Sequence, residues 1–343
     1  MPTNSYLEFD IPPSPEVDAT DGVDRDALFE GQPTILRGLV KEWPCVAAAQ
    51  ESADALARYL AKLDNGKPLS GFDIDPEQGG RYFYNKAIDG FNFTSRKTTI
   101  SEALAYLLEL KEQTDPPGFY VGASPSDDIT PGFAAENPLA IADPSARPLL
   151  WLGNSSRIAP HFDVSDNIAC VVSGARTFLT FPPEEMANLY VGPIHITVAG
   201  PPTSMIDPRA FDPEEFPKFE AALASARIAH LEPGDAIVIP SMWWHYVEAS
   251  GPLNLLVNYW TPNRADQQLL NAVMLAILLM RDVPQRQRDA TSALFQHYVF
   301  GEDAEHAGAH LPAHAKGPLA PVSKPRDMMI KAHLRTRLGQ LLR

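Results

Sequence analysis

Between residues 117 and 262 the apolar residues arrive in short runs. They read GFYVGA, PLLWLG, NIACVVSG, RTFLTFPP, HITVAG, DAIVIP, HYVEAS and LNLLVNYW, separated by glycine, proline, asparagine and aspartate. Runs of this length suit strands and the spacers suit turns, so the stretch predicts an antiparallel barrel or sandwich rather than alternating strand–helix units. No self-similarity at a period of roughly 20–50 residues is present, which argues against a solenoid or a propeller.

The flanks have a different texture. Residues 1–20 hold four prolines and several acids and read as an extended arm. QPTILRGLVKEWP (32–44) carries a short strand entering the fold, and RYFYNKAIDGFNF (81–93) is aromatic and strand-like. Helices are predicted over 51–63 and 99–112, the second opened by a capping box of Thr99 and Glu102. Residues 205–230 read as a Pro-rich turn and a short helix. Beyond Pro262 the pattern turns helical over 263–282, 285–300 and 326–342. The expected organisation is an N-terminal arm, strands and helices (1–116), a β core (117–262) and a helical region (263–343).

Charge and composition narrow the function classes. Lys plus Arg is 28 against 43 Asp plus Glu, a net charge of −15, which opposes a polyanionic partner such as nucleic acid. Cys45 and Cys170 are too few for a disulfide framework and form no CxxC, as expected in a reducing cytoplasm. The N-terminal MPTNSYLEFDIPP lacks the basic-then-apolar pattern of a secretory signal. The longest apolar run, LLNAVMLAILLM (269–280), falls short of the ~20 residues that span a bilayer.

The chemistry gathers around IAPHFDVSDN (158–167). His161 and Asp163 are two apart, so on an extended segment both side chains point to one face. A neutral imidazole and a carboxylate converging in this way are two thirds of a 2-His-1-carboxylate metal site. GDAIVIPSMWWHYVEAS (234–250) supplies the third member. There Gly234-Asp235 is a turn, Ala236–Pro240 a buried strand, and His245 stands at the start of the next strand. Two such strands facing each other across a barrel mouth give one triangular ligand face and leave the other open. His306, His310 and His314 are also spaced by four, but Gly308 and Pro312 break any helix there, and a loop is expected. His195 and His230 have no evident partners. No GxSxG, GxxxxGKS or GxGxxG occurs.

Taken together, PTILRGLVKEWP, HFD, GARTFLTFPP, IPSMWWHYVE and LLVNYW resemble the JmjC-like cupins of the cupin 8 type. These are Fe(II)- and 2-oxoglutarate-dependent oxygenases that include the asparaginyl hydroxylase acting on hypoxia-inducible factor. The resemblance implies a double-stranded β-helix (a cupin jelly roll), mainly β with flanking helices and a C-terminal helical region. It implies His161, Asp163 and His245 as iron ligands, with 2-oxoglutarate as co-substrate and O2 as oxidant. Arg176, 15 positions after the first ligand, takes the place of the basic residue that pairs with the distal carboxylate of 2-oxoglutarate. The family more often has lysine there, and a guanidinium fork suits a carboxylate equally well. Tyr120, Asn167 and Asn258 match residues flanking the co-substrate. Ile158 stands where the family often has Thr or Ser, a contact that moves to Ser156 on this reading. Trp243, Trp244 and Trp260 read most simply as barrel core, with a place at the pocket border open to one of them.

The resemblance further implies hydroxylation of a protein side chain or a small amino-acid-like metabolite, with release of succinate and CO2. It also implies a homodimer joined through the C-terminal helices. Two other classes fit the same chain, an inactive cupin that only binds a ligand and a regulatory scaffold whose helical tail is the working part.

Overall fold

The structure, a computed structural model, describes residues 3–20, 22–198, 200–261 and 269–341. The chain divides into two compact units, Met1–Gln267 and Gln268–Arg343. In the first, β1 (Glu16–Asp18), β2 (Thr34–Arg37), β3 (Leu69–Ile74), β4 (Arg81–Tyr82) and β5 (Phe93–Thr98) lie ahead of residue 117. They are followed by β6 (Gly118–Pro125), β7 (Pro148–Gly153), β8 (Ser156–Phe162), β9 (Asp166–Phe181), β10 (Arg227–Leu231), β11 (Ala236–Ile239) and β12 (Trp244–Thr261). Strands from both sides of residue 117 are hydrogen-bonded together, in the order β1-β2-β11-β9-β12-β7-β6-β3-β5, with β10 branching from β9, β8 from β12 and β4 from β8.

That branching makes the roll. The first half of β9 pairs with β11 and with the second half of β12. The second half of β9 pairs with β10 and with the first half of β12, which also pairs with β8. Each long strand therefore crosses from one layer to the other, and the register slips where it turns, between Ser250 and Leu256 of β12. Gly174 stands at the corresponding corner of β9 with φ +72°, and a Cβ there would fall 2.0 Å from Asn254 Oδ1. Gly251 takes φ +117° at the other corner. Only glycine adopts such angles freely, and the irregularity bends the strand as a bulge does. The inward face changes parity at each corner, from Asn167 and Ala169 to Arg176 and Phe178, and from His245 and Val247 to Leu256 and Asn258. Ser173-Gly174-Ala175, between the runs NIACVVSG and RTFLTFPP, is thus a bend within one strand. HYVEAS and LNLLVNYW are likewise one strand.

Each layer buries its outer face. Ile168, Cys170, Val172, Leu255 and Val257 pack with Leu56, Leu60, Leu104 and Leu107, from the helices Ala53–Leu63 and Ile100–Leu110. The second of those helices carries the expected capping box, with both Thr99 and Glu102 bonds made. Phe162, Leu179, Phe181 and Trp244 pack with Phe219 and Leu223 of the helix Phe219–Ser225.

The N-terminal arm is anchored, with Tyr6 buried and its hydroxyl donating to Glu248 Oε1 at 3.2 Å. Further expectations are corrected. HITVAG (195–200) forms no strand among its described residues, and its neighbourhood holds only the isolated bridges Val191–Ser204 and His161–Thr203. The segment after Arg37 turns into a helix, Pro44–Glu51, with proline at its first position.

In the second unit, Leu269–Ala276 is helical and continues as a π turn, Ile277–Arg281. Gln285–Phe295 and Lys324–Leu341 are the other helices. Residues 263–268 of the first predicted helix lie outside the described residues. His306, His310 and His314 are exposed on the intervening short turns and belong to no metal-ligating group among the described residues. No helix among the described residues is long and apolar enough to cross a membrane.

Candidate functional site

β8 and β12 run antiparallel with His161 directly opposite His245, so the two imidazoles meet with ring centroids 4.3 Å apart. Each ring is held from behind. His161 Nδ1 lies 3.0 Å from the Ala159 carbonyl oxygen and His245 Nδ1 lies 3.1 Å from that of Trp243. A carbonyl oxygen can only accept, so Nδ1 carries the proton in both rings and Nε2 is left bare as a donor to a metal. His245 is fully enclosed, and burial first, then the neighbouring His161, pushes its pKa down to about 4. It stays neutral at physiological pH, as a ligand must.

Asp163 completes the group, its Oδ2 lying 3.7 Å from His245 Nε2. The three ligand atoms all fall within 4.8 Å of one another. Asp163 is fixed by two donors, Trp260 Nε1 at 3.0 Å and Asn167 Nδ2 at 3.2 Å, both on Oδ2. Behind Asn167 a chain of amides continues. Asn258 Nδ2 donates to Asn167 Oδ1 at 3.1 Å, and Trp151 Nε1 donates to Asn258 Oδ1 at 2.6 Å. The donor set, two imidazoles and an oriented carboxylate, fits a divalent first-row metal and leaves coordination positions open.

These residues open on a cavity of about 530 Å³ enclosed by the inner faces of the roll. Arg176, Tyr120 and Ser156 line the same cavity, as do Asn167 and Asn258, so every sequence-predicted site residue reaches it. Arg176 is buried, and its Nη1 donates to Asn254 Oδ1. Burial lowers its pKa to about 10, which leaves it charged near neutral pH. Among the described residues it makes no ion pair. A buried cation without a counter-charge is costly unless an anion joins it. Tyr120 lies close by, its hydroxyl pKa pushed up by burial and lowered in turn by Arg176. Ile158 lines the wall beside Ser156 and presents only hydrocarbon.

Three members escaped sequence reading. Trp260 is the tryptophan at the pocket border, and its hold on Asp163 was not foreseen. Trp151 terminates the amide chain. Asn254 holds Arg176 while its own Nδ2 donates to Gly251 O at 2.8 Å. An asparagine just inside the apolar run LNLLVNYW was the available signal for Asn254. For the tryptophans there was none, because apolar packing explains a strand tryptophan equally well. Trp244, by contrast, is fully buried in the outer core as expected.

Comparison with known proteins places these features in a wider group. Residues 20–267 match the family described as a cupin-like domain. The chain is 26% identical over 250 residues to Jumonji C domain-containing protein 5 of Drosophila melanogaster, covering 67% of this chain and 54% of that protein. It is 24% identical over 244 residues to lysine-specific demethylase 8 of Xenopus tropicalis, covering 68% and 48%. It is 28% identical over 141 residues to lysine-specific demethylase JMJ31 of Arabidopsis thaliana, covering 38% and 25%. The chain thus spans about half the length of the first two and a quarter of the third.

Proposed function

We propose that this chain, a member of the cupin-like domain family, is an Fe(II)- and 2-oxoglutarate-dependent oxygenase of the Jumonji C kind, like the relatives it resembles. On that reading it hydroxylates an unactivated C–H bond of a protein side chain or small amino-acid-like metabolite, releasing succinate and CO2. One observation carries the reading. A candidate three-ligand metal group and a buried guanidinium that makes no ion pair among the described residues share one cavity.

His161, Asp163 and His245 would hold iron. When bound, Fe(II) supplies the oxygen chemistry, coupling oxidative decarboxylation of the keto acid to delivery of one oxygen atom to the substrate. The chain's own groups do the positioning. Arg176 takes the distal carboxylate of 2-oxoglutarate in a bidentate, charge-assisted contact that compensates its buried charge. Tyr120, Asn167, Asn258 and Ser156 give the co-substrate neutral polar neighbours. Val247, Phe178 and Leu256 exclude water from the cavity.

Anaerobic titration tests the reading. Fe(II) and 2-oxoglutarate added together should raise a weak visible charge-transfer band that neither raises alone. Absence of that band, with 2-oxoglutarate still bound, would instead make the protein a ligand-binding cupin.

For the helical unit the same reading implies a homodimer, acting in the cytoplasm. Val273, Met274, Leu278, Leu279, Val299 and Phe300 are exposed apolar residues within that unit, more than a soluble monomer ordinarily leaves bare. A two-fold helix pair would cover them. Both cysteines are buried free thiols, which suits a reducing compartment. Light scattering at micromolar concentration should give twice 37.6 kDa, falling to the monomer in Leu278→Arg or Leu279→Arg. A monomeric wild type ends the dimer.

A further inference from the structure

The cavity's outer wall is built from aromatic rings in mutual contact. Phe72 and Phe93 meet edge to face at 5.5 Å, and Phe91 stacks on Phe93 at 5.1 Å with the planes 7° apart. Tyr82 joins at 5.6 Å from Phe93 and 5.5 Å from Tyr120. All five rings line the cavity, and Phe91 is exposed at its rim. At these separations neighbouring rings touch, so they form one continuous platform. A cage for a cation needs ring faces held apart around it, and the Phe91–Phe93 pair closes that space by stacking.

Strand alternation keeps charge off the platform. Phe93 and Ser95 of β5 line the cavity, whereas Arg96 points away, over the rings of Tyr106 and Phe119. Phe72 of β3 faces the cavity, while Asp73 beside it pairs with Arg96 at 2.9 Å. Among the described residues lining the cavity only Asp163 and Arg176 carry charge. On the functional reading above, on which this step rests, the first is committed to iron and the second to 2-oxoglutarate. Nothing charged is left for the substrate.

We propose that the group presented to the metal is an uncharged hydrocarbon side chain, aliphatic or aromatic, lying on the Phe72–Phe93–Phe91 platform. Lysine and arginine side chains, methylated or not, are excluded. A cationic side chain entering here would lose its water against rings and find no carboxylate in exchange. A leucyl or phenylalanyl side chain loses only unfavourable hydration and gains ring contacts.

The test uses the full chain with Zn(II) and 2-oxoglutarate, and N-acetyl amides of leucine, phenylalanine, lysine, Nε-trimethyl-lysine and arginine as probes. Saturation-transfer NMR should detect the leucine and phenylalanine amides and none of the cationic three. Phe91→Ala, at an exposed position and with its melting temperature measured alongside, should weaken the apolar probes at least fivefold. Phe93→Glu should admit the lysine amide. Cationic amides binding the wild type as well as the apolar ones, or Phe91→Ala binding the apolar probes unchanged, would overturn the proposal.

Succinate release with Fe(II) and O2 separates this outcome from the underlying reading. Apolar probes that bind a protein making no succinate end the oxygenase reading and leave the platform intact. Succinate release stimulated by the lysine amide does the reverse.

Discussion

Asp163→Ala and His161→Ala should each lower succinate formation from 2-oxoglutarate by at least about 100-fold, because loss of outer partners alone typically costs about 10–100-fold in such sites. The fold should survive. Both side chains are only half-buried at the cavity surface, so their removal opens no void in the packed layers. Asp163→Ala does strand two donors, Trp260 Nε1 and Asn167 Nδ2. Each stranded donor costs about 1–3 kcal/mol where water cannot replace the acceptor. A modest fall in melting temperature is therefore expected, with iron content near zero. Asp163→Asn should recover much of that stability, since an amide oxygen accepts the same bonds, and recover little of the iron. Asp163→Ala protein that kept normal iron and full turnover would remove this residue from the site.

Arg176→Ala should raise the KM for 2-oxoglutarate at least tenfold, about 1.4 kcal/mol, with a smaller effect on kcat. A charge-assisted bond is worth roughly 1.5–3 kcal/mol, and the bidentate geometry is lost with it. Arg176→Lys should fall between, because an ammonium keeps the charge and loses the fork. The alanine variant also leaves Asn254 Oδ1 without its donor, so melting temperature must be measured alongside. If KM stayed at the wild-type value in a folded Arg176→Ala protein, the carboxylate anchor would lie elsewhere.

Much of the site was readable because its chemistry is local. HxD places two ligands on one face through strand geometry alone, and the late His245 follows a turn and strand that are legible in GDAIVIP. The wider layout was not readable from periodicity. β9 and β12 each change phase at a corner, so a single strand presents two alternations that look like two strands joined by a turn. HITVAG has the composition of a strand, but its segment finds only isolated bridging partners, and pairing is a tertiary event that propensity does not encode. The role of Trp260 was hidden for a related reason. An indole packs like a core residue until its one N–H is seen to have a carboxylate in reach.

The strand order separates two kinds of inheritance. The metal ligands and Arg176 sit on β8, β9 and β12 or just beyond β8's end, and β9 and β12 are each bonded on both sides by other strands. Phe93 lies on β5, the last strand of its layer, bonded to β3 alone. A change at the centre disturbs several neighbours at once, whereas a change on β5 disturbs one. Divergence within such a scaffold can therefore redraw one wall of the cavity by drift along one border strand, while the residues at its centre descend unaltered.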